Sequence, residues 1–105
     1  MRDLVIDNAL IVDGTGAPPY AGALAVQGGR IAEIGAVGAF AGDGGRHLDA
    51  QGMTLMPGII DTHTHYDAQA TWDPELRPSS SLGVTTVVMG NCGFTIAPCR
   101  PEGRE

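Results

Sequence analysis

Short apolar runs separated by glycine, proline and polar residues dominate the first half of the chain. Such runs predict β-strands, because branched side chains fit a pleated, half-buried surface. Asp7-Asn8 indicates a turn or bulge, Gly28-Gly29 indicates a hairpin turn, and Gly52 indicates a break within a strand region. The predicted strands cover Leu4–Ile6, Ala9–Val12, Ala23–Gln27, Arg30–Gly35 and Leu48–Met56.

The spacing of these strands predicts a small β-sandwich domain over residues 1–56. Arg30–Gly35 alternates apolar and polar residues, which is typical of an antiparallel strand with one face in water. The chain contains 16 glycines and 7 prolines, a composition that favours many turns over long helices. We therefore expect the first domain to be rich in short strands.

The second half of the chain, residues 57–105, contains two further apolar runs. One covers Pro57–His65 and the other covers Val84–Met89. Their separation fits two parallel strands joined by a crossover connection. The connecting segment makes a poor helix, because Pro74 and Pro78 interrupt it and three consecutive serines favour turns. We expect a loop there, with at most one or two turns of helix.

Two histidines separated by one residue end the first of these runs. On a β-strand alternate side chains share a face, so His63 and His65 would project together about 7 Å apart along the strand. Their imidazoles could then converge on one ion at the usual Zn–N distance of about 2.0–2.1 Å. The alternative is a pair of hydrogen-bonded polar residues at a strand end. The apolar run before the histidines favours the metal site.

Two more residues extend this candidate site. Asp61 shares the face of the histidines, and we expect it to accept a hydrogen bond from a ligand imidazole or a neighbouring group. Cys92 follows the second predicted strand, and a thiolate is a strong zinc ligand. A small buried apolar residue is the alternative for this cysteine. In a parallel sheet closed into a barrel, ligands gather at the carboxyl ends of the strands, where His63, His65 and Cys92 fall.

Other polar and aromatic residues carry weaker signals. Asp67 shares the face of the histidines. It could serve as an acid or a base, or it could stabilise the loop after the strand or bind a neighbouring backbone amide. His47 is predicted to be an ordinary surface residue. Cys99 is predicted to be structural or incidental, and a disulfide with Cys92 is not expected in a cytosolic protein. Side chains that either line a pocket or pack in a core are Tyr66, Trp72 and Phe94.

The segment Pro57–His65 resembles the first-strand signature of the amidohydrolase superfamily, the metal-dependent hydrolases built on a (β/α)8 barrel. Its continuation is similar to the N-acyl-D-amino-acid deacylase (D-aminoacylase) branch. The residues that carry this narrower resemblance are Tyr66–Gln69, Trp72–Pro74 and Gly83–Phe94. The resemblance covers essentially the whole chain, since Asp13–Gly16 and Gly29–Gly35 look like the usual opening of the N-terminal sandwich.

The resemblance implies β-sandwich strands followed by the first strands of a metal-dependent (β/α)8 (TIM) barrel. Residues 57–105 would be the start of that barrel, with its first two strands. Such a barrel typically needs ~250 residues, and this chain has 105. The fold is therefore expected to be incomplete in this chain. The general-base aspartate and two further histidine ligands of the family are expected beyond residue 105.

The resemblance also implies a reaction and a cofactor. His63 and His65 match the family's first-strand ligands, and Cys92 matches its thiolate ligand, where many relatives use a carboxylated lysine. One or two zinc ions would activate water to cleave a linear amide bond. The small-molecule substrates would be N-acyl-D-amino acids, which the reaction would deacylate. One alternative is a cyclic-amide hydrolase of the hydantoinase or dihydroorotase type. A non-catalytic β-rich module is the other.

Charge and hydropathy exclude other classes of partner. The chain has 12 acidic and 6 basic residues, for a formal net charge of −6. Such a chain lacks the basic stripe that neutralises phosphates, so a nucleic-acid partner is not expected. No apolar run reaches the ~18 residues of a membrane span, so no membrane partner is expected. Met1-Arg2-Asp3 leads directly into a predicted strand, which favours a cytoplasmic location.

Overall fold

The structure is a computed structural model, and it describes residues 2–91 and 100–103. The chain divides into two compact units, Met1–Pro57 and Gly58–Glu105. Each unit has its own sheet. No helix in the described part of the chain is long and apolar enough to cross a membrane.

The first unit is built on one five-stranded sheet with the order β3-β2-β1-β4, in which β5 also pairs with β1. Strand β1 runs antiparallel to β2 and parallel to β4 and β5. Gly28-Gly29 forms the predicted hairpin turn between β2 and β3. The strands are β1 Leu4–Ile11, β2 Tyr20–Gln27, β3 Arg30–Gly35, β4 Arg46–Asp49 and β5 Thr54–Leu55.

Strand β1 is continuous, whereas the chain that pairs with it in parallel is divided into β4 and β5. A bulge in β1 at Asp7-Asn8 lies at this division. The pairing of β1 with β2 shifts register between Ile6 and Ala9, and Asn8 adopts a φ of 54°. On the other edge, the carbonyls of Asp7 and Asn8 accept hydrogen bonds from the amides of Ala50 and Gly52, at 2.8 and 2.7 Å. The bulge and the break at Gly52 therefore face each other across the sheet.

The buried side chains of the first unit are few and mostly small. One cluster joins Val5, Ala23, Ala25 and Phe40, and a second joins Ala9, Ile11 and Ala50. Phe40 comes from the loop after β3, and the Arg2 guanidinium lies 6.0 Å from the centre of its ring. Arg2 also pairs with Glu33 of β3 at 2.6 Å and with Asp43 of this loop at 3.4 Å, so the loop is held by charge as well as by packing.

The predicted β-rich character of this half is confirmed, and the described strands of the unit form a single sheet. Ile31 and Ile34 on β3 remain 64% and 41% exposed. They border an apolar groove of about 290 Å³, together with Ile11, Leu24 and Leu55. The second layer of the predicted sandwich stays a prediction.

The second unit contains a parallel two-stranded sheet of β6 (Ile59–Asp61) and β7 (Val84–Val87). The predicted parallel pair is therefore confirmed. Gly58 fits just before β6 because a Cβ there would lie 2.2 Å from the Thr85 side chain. The connection holds a single helical turn, α1 (Tyr66–Gln69), and a short 3₁₀ turn (Ser80–Leu82), as expected for a segment rich in proline and serine. The continuation of this pair into a barrel stays a prediction.

The glycine at position 45 yields a test of the first unit. Gly45 adopts a φ of +119°, and a Cβ there would lie 2.2 Å from the backbone oxygen of Arg2. We expect Gly45→Ala to destabilise the pairing of β4 with β1 by about 1–3 kcal/mol, because strained backbone positions cost that much. Amide hydrogen exchange of β1 and β4 in the full-length protein measures this change.

Gly42→Ala is the matched control for this experiment. Gly42 lies three positions earlier in the same loop, and a Cβ there meets nothing within 4 Å. Equal protection of the β4 amides in both variants would contradict the assignment of a backbone constraint at Gly45.

Candidate metal centre

The two histidines lie just beyond the carboxyl end of β6, and not on a strand as the sequence predicted. Strand β6 ends at Asp61, and His65 is the N-cap residue of α1. The extended strand predicted through His65 is therefore wrong. The physical reason is local: the Asp61 carboxylate accepts a hydrogen bond from the His63 amide at 3.1 Å. This side-chain contact replaces a ladder hydrogen bond and turns the chain.

Hydrogen bonds to the end of β7 hold the histidine segment in place. The Val88 amide donates to the Asp61 carbonyl at 2.8 Å. The Val88 carbonyl in turn accepts from the Thr64 amide at 3.2 Å and from the Thr64 hydroxyl at 2.9 Å. The side-chain amide of Asn91 donates to the carbonyl of Thr62. The backbone from residue 61 to residue 64 is therefore tied down at each position.

The two imidazoles come close together, as the sequence predicted. Their ring centroids are 5.7 Å apart and their planes are tilted by 37°. Two imidazoles that share one zinc ion at Zn–N distances of about 2.0–2.1 Å have centroids on the order of 5–6 Å apart. Both side chains are exposed and border an open hollow of about 300 Å³. The spacing of His63 and His65 matches that of two imidazoles on one metal ion, and their role as ligands stays a prediction.

A third ligand is not found in the described part of the chain. Within residues 2–91 and 100–103, no group of three histidine, cysteine, aspartate or glutamate side chains is arranged to hold a metal. Cys92, predicted as the thiolate ligand, lies outside the described residues, as do Cys99 and Phe94. Their predicted roles stay predictions.

The carboxylates near the histidines take separate positions. Asp61 borders the hollow, and its side chain contacts the His63 amide. Its predicted support of a ligand imidazole remains untested by this contact. Asp67 does not border the hollow, because the chain turns into α1 at Tyr66 and ends the strand alternation that placed Asp67 beside the histidines. Its side chain is buried instead.

One wall of the hollow contains a hydrogen-bonded pair, Tyr66 and Ser79, of which only Tyr66 was a candidate from the sequence. The hydroxyls of Tyr66 and Ser79 are 2.6 Å apart, and both residues border the hollow with Gln69. Tyr66 was expected either to line a pocket or to pack, and it does both, since it is buried. No pattern in the sequence pointed to Ser79 as a partner of Tyr66, from which it lies 13 positions away. Trp72, the other aromatic candidate described, is exposed and does not border the hollow.

Asp73 organises the crossover loop below this wall. Its carboxylate accepts hydrogen bonds from the Gln69 side chain at 2.9 Å and from the amides of Glu75 and Arg77, each at 3.0 Å. The Gln69 contact, followed by the backbone contacts, lowers the pKa of Asp73 from its ordinary 3.8. The deprotonated form accepts these bonds, so the stabilisation is present above pH 3.8 and is lost as the pH falls through the lowered pKa.

His47, the third histidine, belongs to the first unit. It lies on the exposed strand β4, and its Nε2 is 2.7 Å from the carbonyl oxygen of Asp43. Its surface position is as predicted, and it provides a histidine outside the candidate site.

Known proteins share both the sequence and the fold of this chain. N-acyl-D-aspartate deacylase of Alcaligenes xylosoxydans xylosoxydans is 48% identical over 97 residues, which cover 91% of this chain and 19% of that protein. The crystal structure of N-acyl-D-glutamate deacylase from Bordetella bronchiseptica, complexed with zinc and a phosphonate inhibitor, matches with a TM-score of 0.84. Its identity is 43%, and the match covers 99% of this chain and 22% of that chain.

A hydantoinase is a more distant match. L-Hydantoinase (dihydropyrimidinase) from Arthrobacter aurescens has a TM-score of 0.65 at 26% identity, over 85% of this chain and 20% of that chain. In each comparison this chain spans about a fifth of the length of its relative.

The family profile agrees with these relatives and identifies the part of the chain that carries the site. The amidohydrolase family matches residues 46–104, which is more than half of the chain and includes both strands of the parallel pair and both histidines. This chain therefore belongs to the amidohydrolase family.

Proposed function

We propose that the full-length protein carrying this chain is a zinc-dependent amide hydrolase that deacylates N-acyl-D-amino acids. The observation that carries this proposal is the pair of imidazoles 5.7 Å apart beyond the carboxyl end of β6. The relatives named above support the substrate class, because two of them are deacylases of N-acyl-D-aspartate and N-acyl-D-glutamate. The activity is assigned to the full-length protein, since this chain matches only 19–22% of those relatives.

The residues of this chain would bind and orient the metal. His63 and His65 would donate two imidazole nitrogens, and Cys92 would donate a thiolate. When bound, zinc would polarise the amide carbonyl and lower the pKa of the attacking water. Asp61 would stabilise the turn that orients His63, because its carboxylate accepts a hydrogen bond from the His63 amide. The hollow beside the histidines, with polar groups from Tyr66 and Ser79, would admit the substrate.

The fold supports the same proposal. A parallel pair whose polar residues follow the carboxyl ends of both strands is the arrangement from which (β/α)8 barrels build their sites. We propose that β6 and β7 are the first two strands of such a barrel. We also propose that the first unit, through residue 56, is part of a β-sandwich whose remaining strands lie elsewhere in the protein. A cytoplasmic location remains a prediction from the sequence.

A cyclic-amide hydrolase is the second candidate within the family. The hydantoinase match supports it, at lower identity and TM-score than the deacylase match. The two reactions are separated by offering the full-length protein N-acetyl-D-aspartate, N-acetyl-D-glutamate, hydantoin and dihydroorotate in parallel. We expect release of the free D-amino acids and no opening of either ring. Ring opening without deacylation would replace the proposal.

The first prediction concerns the histidines. We expect His63→Ala and His65→Ala each to lower zinc content and to reduce the deacylation rate by at least about 100-fold, because a lost metal ligand costs more than a lost outer contact, which costs 10–100-fold. Metal analysis of the purified full-length protein and initial-rate measurements check both effects.

His47→Ala is the matched control, since it removes an exposed imidazole from the other unit. It should retain the zinc content and the rate of the unaltered protein. Full zinc content in both site variants would contradict the assignment of His63 and His65 as ligands.

The second prediction concerns the thiolate. Cys92→Ser should weaken zinc binding, because a hydroxyl is a far poorer zinc ligand than a thiolate. Cys99→Ser removes the other cysteine of the chain and should leave zinc binding unchanged. Zinc titration against a competing chelator compares the two variants. Equal affinities would remove Cys92 from the proposed ligand set.

The third prediction concerns the 105-residue chain by itself. The 105-residue chain by itself should hydrolyse no N-acyl-D-amino acid, because the proposed site needs further ligands. It should also associate, because large apolar side chains such as Ile31, Ile60 and Leu82 are 63–70% exposed. Light scattering and a deacylation assay test this on the isolated chain. A monomer with a sharp melting transition and measurable deacylation would contradict the need for further ligands.

A further inference from the structure

Thr64, the residue between the two histidines, differs from them in burial. Only 6% of Thr64 is exposed, whereas His63 and His65 on either side of it are exposed. Its hydroxyl is not left without a partner there, because it donates to the Val88 carbonyl at 2.9 Å. A valine of the same shape would fill this space without a polar group, so packing alone does not require a threonine.

The hydroxyl adds a second bond to an acceptor that Thr64 already uses. The Val88 carbonyl accepts from the Thr64 amide at 3.2 Å as well as from the hydroxyl. A carbonyl oxygen has two lone pairs, so one residue satisfies it completely. The hydroxyl bond therefore adds a second constraint on Thr64 beside its amide bond. This constraint limits the directions in which the Cα–Cβ bonds of His63 and His65 leave the backbone.

The same contact reaches the segment that leads to the third predicted ligand. Val88 follows β7 and precedes Cys92 by four positions in the sequence. The Val88 amide also donates to the Asp61 carbonyl, so Val88 is held from both sides by the histidine segment. Thr64 thus ties the histidine turn to the end of the neighbouring strand. Ligands held in place before the metal arrives lose less conformational entropy when it binds.

We propose that Thr64 is a positioning residue, whose hydroxyl bond to the Val88 carbonyl presets His63 and His65 for metal binding. This inference rests on the proposed metal site and adds to it a residue that is not itself a ligand. The neighbouring threonine at position 71 offers a comparison. Its hydroxyl also donates to a backbone carbonyl, that of Ala68 at 2.7 Å, but it lies exposed within the crossover loop.

The test uses the full-length protein and zinc itself as the probe. Thr64→Val removes the hydroxyl and keeps the shape, whereas Thr64→Ser keeps the hydroxyl. Thr71→Val removes the matched hydroxyl bond from the loop. Zinc dissociation constants are measured by competition with a chelator, and the melting temperature of each metal-free protein is measured alongside. Thr64→Ala carries the same prediction if Thr64→Val does not yield folded protein.

We expect the zinc dissociation constant to rise at least about tenfold in Thr64→Val, in line with the loss of a group that orients metal ligands. Thr64→Ser should restore it to within about threefold, and Thr71→Val should leave it unchanged. At saturating zinc, Thr64→Val should recover most of its kcat, because the ligands themselves are intact.

Three results would overturn the inference. Unchanged zinc affinity in Thr64→Val would do so even if its melting temperature falls, since the threonine would then serve stability alone. A serine variant as weak as the valine variant would show that the hydroxyl is not the cause. An equal loss in Thr71→Val would show a general effect of destabilisation. Failure of the unaltered protein to bind zinc would instead refute the proposed function.

Discussion

The pairing of β6 with β7 is the interaction on which the candidate site depends. Neither strand exceeds four residues, and neither carries a proposed metal ligand within its own length. Parallel pairing brings their carboxyl ends to the same edge, so that the loops that follow them meet there. The hydrogen bonds of Val88 with Asp61 and Thr64 then continue the contact beyond the last ladder bond. The histidine segment is therefore held both by Asp61 at the end of its own strand and by Val88, which follows the neighbouring strand.

This arrangement gives short polar side chains a structural task next to the proposed metal. The Asp61 carboxylate ends β6 by accepting from the His63 amide, and the Thr64 hydroxyl satisfies a carbonyl of the next segment. On the other side of the hollow, the Tyr66 and Ser79 hydroxyls join α1 to the end of the crossover loop. Each contact fixes backbone near a proposed ligand while leaving the imidazoles exposed. Such preorganisation is what a metal or catalytic site requires of its supporting residues.

Both units leave large apolar side chains exposed to water. The groove beside β3 in the first unit is lined largely by isoleucine and leucine, and Ile59 and Ile60 on β6 are 46% and 63% exposed. Strands of barrels and sandwiches are patterned to be covered on faces that these short sheets leave open. The exposure therefore agrees with the proposal that this chain forms part of a larger amidohydrolase, and with its match to about a fifth of its relatives' length.

The sequence by itself determined the strand regions, the parallel pair, the loop-like crossover and the proximity of the two histidines. These features follow from local rules: branched residues extend the chain, glycine and proline end strands, and closely spaced histidines stay near each other in any compact turn. Only the structure decided that β6 ends at Asp61, that Asp67 is buried and does not border the hollow, and that Thr64 and Ser79 join the site. The Thr64 and Ser79 contacts are hydrogen bonds between residues 24 and 13 positions apart, and a local pattern contains no information about such partners. The end of β6 follows instead from a local bond, between the His63 amide and the Asp61 carboxylate, which the alternation of side chains does not reveal.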